Sequence, residues 1–199
     1  MKQPEPGDAL LVVDVQNDFM PGGALGVRRG DEILPRINRL IDRWSAAGLP
    51  VLLTRDWHPA DHCSFAAQGG PWPVHCVAGT PGARFASSLH VPEGAQVVSK
   101  ATRRDEEAYS AFHGTGLADS LRRQSVRRVF IAGLATDYCV RASTADARSD
   151  GFAVVILTDA VRAVDVTPGD GDRALEEMTA AGAERATTAE LIDAMGPAA

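Results

Sequence analysis

The chain has 199 residues, 45% of them hydrophobic, with 20 basic against 26 acidic side chains and a formal net charge of −6. That is enough for one globular domain with a sizeable core, and two full domains would be cramped. The arginine pairs Arg28/Arg29, Arg103/Arg104, Arg122/Arg123 and Arg127/Arg128 are scattered along an acidic chain, which reads as solvated faces and against nucleic acid as a partner.

The opening MKQPEPGDALLVVD holds one lysine, two prolines and an apolar run of about five residues. A secretory core needs about 7–15 apolar residues and a membrane span about 20, so a soluble, cytoplasmic protein with no membrane association is expected. The three cysteines Cys63, Cys76 and Cys139 are odd in number and never spaced C-x-x-C. They fit free thiols in a reducing compartment, at least one of them available for catalysis.

Five apolar, β-branched runs alternate with helical patterns: ALLVVD (9–14), PVLLTRD (50–56), AQVVSK (95–100), RRVFIAG (127–133) and AVVILTD (153–159), with a fainter AERAT (183–187) as a sixth. Continuous apolar strands separated by helices imply a parallel sheet covered on both faces. The expected fold is therefore α/β: a single Rossmann-like, three-layer domain over 1–199 with a mostly parallel six-stranded sheet. After the first strand, Ile33, Leu34, Ile37, Leu40, Ile41 and Trp44 keep to one helical face, with Asp31 as a cap and Gly48 as a stop. Fainter helical patterns cover 115–124, 138–149 and 171–181. The Gly-, Pro- and Ser-rich segment 56–94 reads as a long loop ordered by Trp57, Phe65, Trp72 and Phe85, and loops of that length are usually functional.

The chemistry-bearing residues fall at one edge of such a sheet. Asp14 ends the first strand, Asp56 the second and Lys100 the third, while Cys139 opens the helix after the fourth. Ligands of open α/β sheets bind outside the carboxyl ends of the strands, so residues far apart in sequence converge there. A lone cysteine is ordinarily a small buried hydrophobe. Cys139 instead stands near a helix N-terminus, where the dipole favours a thiolate and free N–H groups can hold an oxyanion. Asp14 and Lys100 supply the base and the cation such a thiol needs. In DWHPADHCSF (56–65), Asp56 and His58 share one side of an extended segment, and His62 or His75 completes an O and N ligand set suited to zinc, manganese or iron. Two rival classes remain on this reading, a hydrolase using metal-activated water and a non-enzymatic metal-binding domain.

Five segments together resemble the isochorismatase-like cysteine hydrolases over almost the whole chain: VVDVQNDFMPGGALGV, TRDWHPADHCSF, WPVHCVAGTPGARF, VSKATRRDEEAYSAF and GLATDYCVRASTADA. The block with Asp56, His58 and His75 fits poorly with members that lack a metal motif, such as isochorismatases and carbamoylsarcosine amidases. It resembles the branch that hydrolyses small amides, nicotinamide and pyrazinamide among them. The resemblance implies a triad of Asp14, Lys100 and Cys139, and an oxyanion site at the backbone N–H groups of Ala135 and Cys139, next to a cis Leu134–Ala135 bond. It further implies one divalent metal ion, zinc before iron or manganese, on Asp56, His58 and His75, with His62 a fourth ligand in some members. Phe19, Leu25, Trp72 and Tyr109 would hold the substrate ring, and relatives are often homo-oligomers. Ala101, where relatives often have Gly, and Tyr138, where His or Val is frequent, bear on amide preference more than on the reaction.

Overall fold

The computed structural model describes residues 3–196. Residues 1, 2 and 197–199 lie outside the described residues; they are the ends of the domain expected over 1–199 and the start of the segment read for a leader. Six strands form one sheet: β1 (Asp8–Val13), β2 (Val51–Asp56), β3 (Gln96–Lys100), β4 (Arg128–Leu134), β5 (Ala153–Arg162) and β6 (Glu184–Ala186). They lie in the order β3-β2-β1-β4-β5-β6, and every neighbouring pair is parallel. Five helices flank them: α1 (Leu34–Ala46), α2 (Leu117–Arg123), α3 (Arg141–Ser149), α4 (Asp170–Ala180) and α5 (Thr188–Met195).

The continuous apolar strands follow from burial on both faces. Along β1, Leu10 and Val12 join the core beneath α1 and α5, whereas Ala9, Leu11 and Val13 join the core beneath α2, α3 and α4. On the first side Trp44 of α1 meets Phe130 of β4 edge-on, their ring centroids 5.2 Å apart. Arg128 and Asp8, neighbours in register across β1 and β4, form a two-pronged ion pair at 2.9 and 2.5 Å at the opposite end of these strands from the polar cluster.

Two expectations are corrected in detail. Asp31 does not cap α1, because a short 3-10 turn, Gly30–Ile33, precedes the helix and places Ile33 at its N-cap. The helix expected from 138 begins at Arg141, because Thr136–Val140 forms a wider π-type turn in which the Val140 N–H donates to Ala135 O at 3.0 Å. Helix α5 lies beyond the helical patterns read from the sequence; Thr187 caps it in a reciprocal pair with Glu190. Among the described residues no helix is long and apolar enough to cross a membrane.

The order reverses beside β1, whose neighbours are β2 on one side and β4 on the other. This is the switch point at which a crevice opens past the strand ends. Gly133 makes the approach of β4 to β1 possible there: it has φ +118°, and a Cβ would lie 2.1 Å from Val13 O. Segment 57–95 is ordered, with single bridges joining Gln16 to Phe85, His58 to Val77 and Phe65 to Trp72.

Candidate active site

Register builds the first half of the site. Asp56 and Lys100 are direct neighbours across β2 and β3, so the Lys100 ammonium reaches the Asp56 carboxylate and forms a short ion pair with its Oδ1. Asp14, one residue past β1 and held at φ +49°, presents Oδ2 to the same ammonium at 3.0 Å. Lys100 Nζ also lies 3.4 Å from Cys139 Sγ and donates to Ala108 O at 3.2 Å. Asp14, Lys100 and Cys139, from three separate strand ends, therefore meet around one buried cation.

Local bonds hold these groups in place. Thr54 donates its hydroxyl to Asp14 Oδ1 at 2.6 Å. Gln16, fully buried, clamps the Asp56 backbone from both sides, accepting its N–H at 2.7 Å and donating to its carbonyl at 2.8 Å. Asp14 Oδ2 pairs with Lys100 by charge but takes no well-aligned hydrogen bond, which leaves it free to accept a proton.

Burial drives Asp14 up to about 6, with Lys100 opposing the rise and Asp56 adding to it. At neutral pH it is thus an ionised base of moderate strength. Burial would lower Lys100, but Asp14 and Asp56 outweigh it and hold the ammonium well above its ordinary value. Burial lifts Cys139 well above the usual thiol value, Lys100 opposes, and the two carboxylates add to the rise. The helix N-terminus favours the thiolate, whereas burial and the two nearby carboxylates favour the thiol, so the base Asp14 and the cation Lys100 bear on its reactivity.

Asp56, His58 and His75 bring one ligand atom each within 4.8 Å of one another, and all three are buried. His58 Nδ1 faces Ala101 O at 3.2 Å, and Nε2 is buried without a hydrogen-bond partner. His75 Nδ1 faces Pro73 O at 2.8 Å. In each ring a carbonyl takes the Nδ1 proton and Nε2 is left to ligate, the arrangement metal-binding histidines need. Burial pushes His58 down to about 4, with Asp56 opposing, so its ring is neutral and available as a donor. The residues therefore fit a divalent cation. His62 stands outside this group: its Nδ1 meets Ser64 Oγ at 2.8 Å and its Nε2 meets Glu106 O at 3.1 Å.

One small cavity is lined by Phe19, Leu25, Trp72 and Tyr109 together with Asp56, His58, His75, Ala135 and Cys139, while Asp14 and Lys100 lie fully buried behind Cys139. Trp72 Nε1–H donates to the Tyr109 hydroxyl at 2.9 Å, and Tyr138 meets Trp72 edge-on with centroids 5.0 Å apart. The Leu134–Ala135 peptide bond is cis. Glu107 and Val164 also line the cavity; Glu107 lies in VSKATRRDEEAYSAF without being singled out there, and the place of Val164 depends on the path of the β5–α4 connection. Thr54 and Gln16 escaped the sequence reading as well, Thr54 because it sits inside an apolar strand run.

An isochorismatase domain model matches residues 8–190. The chain belongs to the isochorismatase family. Within that family it is 40% identical over 212 residues to the nicotinamidase of Escherichia coli, an alignment covering 96% of this chain and 100% of that protein. It is 39% identical over 186 residues to the nicotinamidase/pyrazinamidase of Mycobacterium tuberculosis, covering 88% and 96% of the two chains. Among solved structures it resembles the pyrazinamidase of Pyrococcus horikoshii in complex with zinc, with a TM-score of 0.88 and 52% identity over 92% of this chain and 99% of that one. It also resembles PnC1 of L. infantum in complex with nicotinate, with a TM-score of 0.86 and 36% identity over 95% and 96%.

Proposed function

We propose that the chain, as one hydrolase domain over 1–199, converts nicotinamide to nicotinate and ammonia and so serves NAD salvage in the cytoplasm. The observation that carries this reading is that Cys139, backed by buried Asp14 and Lys100, lines an aromatic-walled cavity whose lining also includes Asp56, His58 and His75. The named activities of the family relatives support it. A flat heteroaromatic ring suits walls of Phe19, Trp72 and Tyr109.

Asp14 takes the proton of the Cys139 thiol, and the Lys100 ammonium stabilises the thiolate as it forms. The sulfur attacks the carboxamide carbon, a C–S bond forms, and the carbonyl electron pair moves to oxygen. The backbone N–H groups of Ala135 and Cys139 stabilise that oxyanion. When the oxyanion collapses, the C–N bond breaks and Asp14 returns its proton to the departing ammonia. A thioester remains on Cys139; water, losing a proton to Asp14, attacks it and releases nicotinate and the thiol.

Asp56, His58 and His75 would hold one divalent ion, with zinc favoured by the mixed N and O ligand set and by the zinc complex of the Pyrococcus horikoshii relative. When bound, the ion supplies a Lewis-acidic point to which a pyridine nitrogen coordinates, fixing the ring's orientation. The three free thiols suit a reducing compartment. The homo-oligomer implied by the family resemblance is read by light scattering. Ammonia release from nicotinamide, compared with pyrazinamide and a carbamoyl amide, tests the reaction: turnover of the first two is expected, and turnover of the carbamoyl amide alone would refute the assignment.

A further inference from the structure

The connection between β5 and α4, residues 163–169, passes the cavity and places Val164 on its wall. Much of it faces solvent; Val166 is 65% exposed. A single buried side chain ties it to the nucleophile's turn. Asp137 accepts the backbone N–H of Val164 through Oδ1 at 3.0 Å and that of Asp165 through Oδ2 at 2.9 Å. It lies in the turn Thr136–Val140, two residues before Cys139, and is itself only 4% exposed. Asp165 then passes the constraint on, accepting the Gly171 N–H of α4 at 2.8 Å. Bonds from N–H to a buried carboxylate are stronger than neutral ones, and two from a single side chain fix both position and direction. Both Asp137 oxygens are spent on the backbone, so it acts through Val164 and does not touch the substrate.

We propose that Asp137 is a positioning residue that sets the size limit of the substrate: by clamping Val164 to the Cys139 turn, it fixes how far that wall stands from the nucleophile. The choice of substrate rests on the nicotinamide reading; the clamp does not. Asp159, which also pairs with Arg36 and the Thr188 hydroxyl, provides a control away from the cavity. It accepts the Thr188 N–H at 2.8 Å at the start of α5, the same kind of bond, and neither Asp159 nor Thr188 lines the cavity.

The test compares Asp137→Asn with Asp159→Asn on nicotinamide and on a ring-methylated nicotinamide, with thermal unfolding of both. Asp137→Asn is expected to raise KM for nicotinamide roughly tenfold while kcat changes less than about threefold, a split that marks lost ground-state positioning. The bulkier amide should gain relative to nicotinamide. Asp159→Asn should lower the unfolding temperature and leave KM and selectivity unchanged. Equal effects of the two substitutions, or a loss of kcat in Asp137→Asn with selectivity unchanged, would overturn the proposal. Amide hydrogen exchange on the wild-type chain decides the clamp even if Asp137→Asn fails to fold: the Val164 and Asp165 amides should be protected, and exchange at open-loop rates would refute it. Absence of nicotinamide turnover by the wild type would instead sink the functional reading, with the exchange result still judging the clamp.

Discussion

Replacing Lys100 by Met keeps the stem and removes the charge, which strikes the group on which Asp14, Asp56 and Cys139 all converge. With Nζ 3.4 Å from Sγ, the attraction between ammonium and thiolate is worth about 5 kcal/mol at an effective dielectric of about 20. Each 1.4 kcal/mol is about a factor of ten, so alkylation of Cys139 at neutral pH should slow by roughly four thousandfold. Two buried carboxylates also lose their counter-ion, which costs about 3–5 kcal/mol in comparable cases and should lower the unfolding temperature. Metal content should be retained, since removing the ammonium leaves the Asp56 carboxylate freer to bind a cation. The assay is iodoacetamide labelling followed by peptide mass in a Cys63→Ser background, because Cys63 is partly exposed and would consume reagent. A folded Lys100→Met protein labelled at Cys139 as fast as its parent would refute the cation's role. The same contacts join the Asp56, His58 and His75 group to Asp14, Lys100 and Cys139 through the Asp56–Lys100 ion pair, so the two groups are not independent.

Asp14 acts as a base only when ionised, and its pKa lies near 6, so kcat/KM should be level above that pH and fall about tenfold per unit below it. Thr54→Val removes a bond to the charged form and should move the acid limb upward, whereas an unmoved limb would count against Asp14 as the base. His75→Ala should lose bound metal and His62→Ala should retain it, as read by elemental analysis, because both His62 ring nitrogens are engaged by Ser64 and Glu106. Chelation or Asp56→Ala should weaken nicotinamide binding by calorimetry; unchanged affinity with chemistry stopped would favour metal-activated water.

Much of the fold was legible because strands buried on both faces of a parallel sheet must read as unbroken apolar runs, as ALLVV and VVIL do. Their alternation with helices then fixed where Asp14, Asp56 and Lys100 would end up, since strand ends share an edge. Helix α5 escaped because it is only eight residues long, although Leu191, Ile192 and Met195 keep helical spacing and pack on the core. Asp31 misled because a residue of capping type two places ahead of an apolar stripe is equally at home in a 3-10 turn. The choice between His62 and His75 depended on where the loop after β2 folds back, a tertiary fact that spacing does not encode. The sequence showed the residues around Cys139 but not its burial or the carboxylates that arrive from other strands, both of which push the thiol up.

The most direct test of covalent catalysis is acid-quenched peptide mapping of the protein caught during turnover of nicotinamide. The account predicts a nicotinoyl adduct on the peptide carrying Cys139, with the peptides carrying Cys63 and Cys76 unmodified. Brisk ammonia release with no adduct on Cys139, or an adduct confined to the other two cysteines, would contradict it.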